Sequence, residues 1–270
     1  MADLPDWVPE GIEVTVPNEA RICDYLLGGY HNFAVDREFV DQLEAMAPGA
    51  MALGRANRAF VGRSVRWLVT EAGIRQFLDI GSGIPTLGNV HEVAQAIVPD
   101  AKVMYVDIDP IAVAHSQAIL AGNPMAGIVR ADARHPADIL HHPEVTRLLD
   151  LSRPVAVLLN AVLHFVPDSA DPPGIVAEIR EAVVRGSYLS VSHSTDVKER
   201  SDEVGEVVTP DAHTPTELHS RGPEQLLAML AGMEIVPPGV VDVNSWHPEQ
   251  PDEADGDPPP GLLAVLARKI

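Results

Sequence analysis

The sequence predicts an α/β fold: a mostly parallel sheet covered on both faces by helices, doubly wound, with a helical cap in front of it. Three observations carry that expectation. From Phe77 onward, short apolar runs alternate with stretches of helical periodicity, as parallel sheets with crossover helices require. The first of these runs, Phe77-Leu78-Asp79-Ile80, leads straight into Gly81-Ser82-Gly83, a glycine turn after a buried strand. Before it, from Asn18 to about position 72, the chain shows helical spacing alone.

Taken in order, the first 17 residues are rich in proline and acids and read as an extended arm. Ile22, Leu26 and Leu27 then recur at helical spacing, and Gly28-Gly29 stops that helix. A second helix is expected over 36–47. A third, over 51–72, carries Phe60, Val61, Val65, Leu68 and Val69. Residues 1–72 are too few for an independent domain, so they read as arm and cap on a core at 73–270. Strands are expected at 77–80, 103–106, 128–131, 155–159 and 187–192. Helices fit between them at 87–98, 111–120, 136–149 and 173–184. The polar stretch 194–221 reads as a long, lid-like loop. A helix at 224–231, apolar runs at 234–236 and 240–243, an acidic proline-rich loop and a last strand at 262–267 suggest a closing hairpin.

Composition narrows the function. The 270 residues are 46% hydrophobic and 21% charged, as in an ordinary globular protein. Nineteen basic against 39 acidic residues give a net charge of −20, which argues against a nucleic-acid partner. A basic N-terminus followed by an apolar run is missing, as is a stretch of about 18 apolar residues, so no membrane partner and a cytoplasmic location are expected. Cys23 stands alone, which excludes an intrachain disulfide; at its helical position it reads as a packed thiol. His141-His142 has no third ligand at useful spacing, so no metal site is expected.

The glycine turn points to a ligand. A dinucleotide fingerprint would place its third glycine at position 86, where Thr86 stands. Asp79, two residues before Gly81, instead suits a cationic group such as an amino acid's ammonium. Asp-x-Gly-x-Gly after a strand therefore points to S-adenosylmethionine (SAM) rather than NAD. The next strand ends Tyr105-Val106-Asp107-Ile108-Asp109-Pro110. Asp107 is placed to accept both hydroxyls of a ribose, and Asp109 either lies near the adenine edge or caps the helix that begins at Pro110. Asp132, after the third strand, can accept the exocyclic amine of adenine. Asn160 and His164, after the fourth strand, face the sulfonium or the methyl acceptor. His164 is a candidate general base or else a histidine bonded to backbone; His193, closing the fifth strand, carries the same two readings. In the cap, Arg21 and Arg58 either hold the carboxylate of methionine or pair with nearby acids. Tyr25 and Phe33 are candidates for apolar walls around the reacting methyl.

At these residues the chain resembles a known group. The blocks VPNEARICDYLLGGYHNFAVDR, RANRAF, QFLDIGSGIPTLGNVHEVAQ, VMYVDIDP, LHFVPD and GSYLSVSH resemble an actinobacterial family of class I SAM-dependent methyltransferases long filed as a domain of unknown function. The likeness spans roughly Val16 to Trp246. It implies a seven-stranded Rossmann-like sheet with the last strand antiparallel and SAM across the strand carboxyl ends. Matched residue by residue, it places the SAM loop on Asp79, Gly81 and Gly83, the ribose acid on Asp107 and the adenine-side acid on Asp132. The chain departs where Asp132-Ala133-Arg134-His135-Pro136 replaces a commoner Asp-Leu-Arg-Asp-Pro. The expectation is a SAM-dependent methyltransferase with a small-molecule acceptor. A non-catalytic SAM-binding regulator is the alternative. The resemblance names no acceptor, and the sequence does not speak to oligomeric state.

Overall fold

The computed structural model describes residues 13–46, 48–85, 88–195, 218–248 and 261–270. Most of the arm, the beginning of the helix expected at 87, the central part of the loop at 194–221 and the acidic proline-rich loop lie outside the described residues. Five strands form the parallel part of one sheet: β1 (Gln76–Ile80), β2 (Lys102–Asp107), β3 (Ala126–Arg130), β4 (Ala156–Asn160) and β5 (Tyr188–Ser194). Their order is β3-β2-β1-β4-β5, so the strand order reverses at β1, and the crevice beyond its carboxyl end is where such sheets bind ligands.

The antiparallel end is richer than a hairpin. β8 (Leu262–Lys269) inserts beside β5, and β6 (Met233–Ile235) lies outside it. The two-residue β7 (Val241–Asp242) also pairs with β8, making eight strands where seven were expected.

Apolar residues run continuously through the central strands because both faces are covered. Phe77, Val103, Ala156 and Leu158 face one cluster; Leu78, Ile80, Met104 and Val157 face the other. On the first face lie α3 (Ala50–Thr70) and α4 (Val90–Ile97); on the second lie α6 (Pro136–Leu140), α7 (Pro143–Leu148), α8 (Pro172–Ala182) and α9 (Pro223–Met229). Phe60, Val65 and Leu68 of α3 are completely buried, each burial worth about 1.5–3 kcal/mol. This helix also reaches the far end of the chain: Arg63 Nε donates to Trp246 O at 2.9 Å, and Trp246 packs edge-on to Phe60. α3 is thus part of the layer that covers the sheet.

One expected helix is two. The stretch at 136–149 breaks between α6 and α7 because Pro143 has no N–H to continue the ladder, while His142 caps α7 by accepting Glu144 N at 3.2 Å. Proline serves the opposite purpose at the starts of α6 to α9 and of α5 (Pro110–Ile119), where the missing donor costs nothing.

Candidate active site

The turn after β1 is built by two glycines with different reasons to be glycine. Gly81 (φ 74°) and Ser82 both donate their N–H to Val106 O, at 2.8 and 3.2 Å, which ties the turn to β2. A Cβ at Gly81 would overlap the Val162 side chain. Gly83 (φ 66°) has open space where its Cβ would be, and its N–H donates to Asp107 Oδ2 at 2.7 Å. The first glycine is needed for packing; the second leaves backbone bare toward a cavity.

Two cavities meet at this turn. One, of about 390 Å³, runs over the carboxyl ends of β2 and β3 and is lined by Asp107, Asp109, Asp132, Ala131 and Val162. The other, of about 310 Å³, lies under α1 (Glu19–Leu26), α2 (Ala34–Met46) and α3 and is lined mainly by apolar side chains, with Arg58, Asp79, Asn160 and His164 among them. Glu19, Cys23, Gly81, Gly83, Ala161 and Phe165 border both. Ala161 holds φ 53°, a left-handed conformation uncommon outside glycine, at this junction.

Electrostatics single out two acids. Asp79 is buried, and burial pushes its carboxyl up to about 7, against the pull of Arg58. Among the described residues no donor bonds its carboxylate, and a buried charge without a partner calls for a cation. Burial also raises Asp107, to about 6, although Asp109 N (2.9 Å) and Gly83 N donate to its carboxylate. At Asp132, burial works upward, but the paired bonds from Arg134 Nε and Nη2 hold the carboxyl below its usual value. Asp109 caps α5, accepting from Ile111 N (2.6 Å) and Ala112 N (3.0 Å) with one oxygen and from Asn18 Nδ2 (2.6 Å) with the other. Arg58 makes no hydrogen bond or ion pair among the described residues and borders the apolar cavity beside Asp79.

Four expectations from the sequence change on this geometry. Arg21 lies away from both cavities: it is buried against Asp36 at 2.8 Å and donates to Glu13 O and Val16 O, so it ties the arm to the cap. Tyr25, one helical step off the cavity-facing stripe of α1, borders neither cavity. His193 is completely buried with both ring nitrogens engaged, Nδ1 with Ser194 O (2.7 Å) and Nε2 with Arg221 Nη1 (3.0 Å). His164 does border the apolar cavity, but Nδ1 accepts Ser194 N at 3.3 Å, which leaves the ring proton on Nε2. Burial lowers His164 to about 3 and His193 to about 4, so both rings are neutral, and His164 presents a donor rather than a base.

The reading of Cys23 changes too. The residue has accessible surface, but that surface lines the two cavities, and burial among the surrounding groups pushes the thiol up to about 11. Glu19, Ile22, Cys23, Leu26 and Leu27 form one stripe of α1 and all border the apolar cavity. At the sequence level that stripe is indistinguishable from a core face.

Residues 5–270 match the S-adenosyl methyltransferase family. The chain belongs to that family. Two solved structures support the assignment, both from actinobacteria. A DUF574 family protein from Streptomyces avermitilis is 40% identical, with a TM-score of 0.88, over 95% of this chain and 99% of that one. A candidate methyltransferase from Thermobifida fusca is 37% identical, with a TM-score of 0.86, over 98% and 99%. An O-methyltransferase family protein from Burkholderia thailandensis, at 14% identity and a TM-score of 0.51 over 84% of this chain and 62% of that one, shares the fold. No curated protein sequence matches the chain. Membership makes this S-adenosyl methyltransferase a SAM-dependent enzyme and SAM its cofactor. The residues at the glycine turn fit such a ligand: a buried acid without a donor among the described residues, and bare backbone at Gly83 opening on a cavity.

Proposed function

We propose that the protein methylates a small molecule held in the apolar cavity under α1–α3. The observation that carries this reading is the meeting of two unlike cavities at Gly81–Gly83, one edged with strand-end acids and the other largely apolar. In this reading Asp79 takes the ammonium of SAM, Arg58 its carboxylate, Asp107 the ribose hydroxyls and Asp132 the adenine amine. The cofactor, when bound, supplies a methyl group already activated on a sulfonium. The protein's task is then to align an acceptor and exclude water. Neither histidine is arranged to remove a proton, so the acceptor must react as a neutral nucleophile or an anion. The room beside the turn speaks against an inert SAM-binding regulator.

The test is incubation of the protein with methyl-labelled SAM and a cell extract separated into small-molecule and macromolecular fractions. Labelled product in the small-molecule fraction is expected. Label confined to macromolecules would overturn the proposed acceptor class, and binding without transfer to any fraction would favour the regulator.

A further inference from the structure

Three of the polar residues that line the apolar cavity carry hydrogen-bond donors. Asn160, at the carboxyl end of β4, is nine-tenths buried; its Oδ1 accepts Ser190 Oγ at 3.2 Å, while Nδ2 is buried with no partner among the described residues. Ser194, two residues beyond the residue opposite Asn160 on β5, has a buried hydroxyl that likewise has no partner among the described residues. Its backbone is fully committed: N donates to His164 Nδ1, and O accepts from His193 Nδ1 and from Arg221 N at 3.0 Å. His164, fixed by that first bond, carries its proton on Nε2. All three residues border the cavity. Buried donors without acceptors are costly, and here an amide N–H, a hydroxyl and an imidazole N–H belong to three residues that line the same cavity.

The remaining wall is mostly aliphatic and aromatic, including Ile22, Leu26, Phe39, Leu43, Leu53 and Val61. Among the described residues the charged groups that border the cavity are Glu19, Arg58 and Asp79, and Asp79 and Arg58 are allotted to the cofactor in the reading above. We propose that the acceptor is an apolar, ring-sized molecule that presents an ionised, hydrogen-bond-accepting oxygen, such as that of a phenolate whose proton has already been lost to solvent, to Asn160 Nδ2, Ser194 Oγ and His164 Nε2. An ammonium would meet these donors, while the amide oxygens of Asn160 and Asn57, which also borders the cavity, each already accept from a serine hydroxyl. This inference rests on the reading that SAM fills the neighbouring cavity.

The experiment therefore measures the two separately, using the full chain and calorimetry. S-adenosylhomocysteine is titrated first; protein saturated with it is then titrated with 2-naphthol and with 2-naphthylmethylammonium. Naphthol is expected to bind at least roughly tenfold more tightly than the ammonium, the worth of one to two hydrogen bonds. Ser194→Ala and Asn160→Leu should each weaken naphthol by roughly five- to tenfold while leaving the homocysteine ligand's affinity unchanged. Absence of naphthol binding, equal or reversed preference, or wild-type naphthol affinity in both variants overturns the proposal. Loss of both ligands in Asn160→Leu assigns that amide to the cofactor and also overturns it. If S-adenosylhomocysteine fails to bind the wild type, the cofactor reading fails instead. Should Asn160→Leu not fold, Ser194→Ala, which removes one oxygen atom, decides alone.

Discussion

Asp79 combines deep burial, a carboxyl raised to about 7 and no described donor, and these properties make it the residue most responsive to pH and ligand. An ammonium ligand requires the ionised form, so S-adenosylhomocysteine should bind more tightly as pH rises through about 7, releasing a proton below that point. In the ligand-free protein the same shift has the opposite sense. Because the folded acid holds its proton more strongly than the unfolded one, its stabilisation is present at low pH and is lost as pH rises through the folded value. Asp79→Asn should abolish both dependences and weaken the ligand by about 1.5–3 kcal/mol, as calorimetry between pH 6 and 8 would show. A ligand affinity flat with pH in the wild type would count against the role of Asp79. The glycines give a second residue-level expectation. Gly81→Ala should destabilise the fold through its overlap with Val162, and Val162→Ala should recover part of that loss. Gly83→Ala lacks the overlap and should cost about 1–2 kcal/mol from its left-handed backbone alone. Urea unfolding of Gly81→Ala, of Gly81→Ala combined with Val162→Ala, of Val162→Ala alone and of Gly83→Ala separates the two mechanisms.

The cap shows why polar residues on helices mislead when read singly. Asp36 accepts Asn18 N (3.1 Å), Phe33 N (2.8 Å) and Arg21 Nε (2.8 Å), closing α1 onto the start of α2. Asp24 accepts His31 N (2.7 Å) and Asn32 Nδ2 (2.9 Å), and a Cβ at Gly29 would strike its carboxylate, so the double-glycine break is a turn wrapped around an acid. These bonds account for Asn18, Arg21 and Asn32 without any ligand. A sequence shows that such polar residues lie close together along the chain, but not that they satisfy one another. The cavity residues were hidden for the converse reason: a helical stripe reads the same whether a core or a cavity lies opposite. Strand-end acids were legible because topology alone puts them at the crevice. Asp36→Ala would leave Arg21 buried without its counter-ion, a loss of about 3–5 kcal/mol. Hydrogen exchange should then accelerate across 18–37 while the sheet remains protected. Uniform acceleration throughout the chain would instead mean that the cap and sheet unfold as one unit.

For the whole molecule, strand positions followed from the apolar runs to within two residues, since burial on both faces leaves no polar alternation to confuse the pattern. The pairing of β7 was less visible, because a two-residue bridge has no periodicity. The order β3-β2-β1-β4-β5-β8-β6 brings loops from distant parts of the chain to one edge, and the cap roofs that edge through Glu19, Cys23 and α3. A ligand spanning both cavities therefore touches the cap, β1, β2, β3 and β4 together, and its binding energy should stabilise the chain cooperatively. At a hundred times its dissociation constant such a ligand adds about 2.7 kcal/mol. A chain of this size gains about 2–4 °C per kcal/mol, so SAM or S-adenosylhomocysteine should raise Tm by about 5–10 °C. NAD should not, because Asp79 and Asp107 flank the turn where its pyrophosphate would lie, and two buried acids repel a phosphate. Differential scanning calorimetry with each ligand in turn makes the comparison. A shift with NAD equal to that with S-adenosylhomocysteine would show that the turn accepts phosphate, and would remove the electrostatic basis for assigning Asp79 to an ammonium.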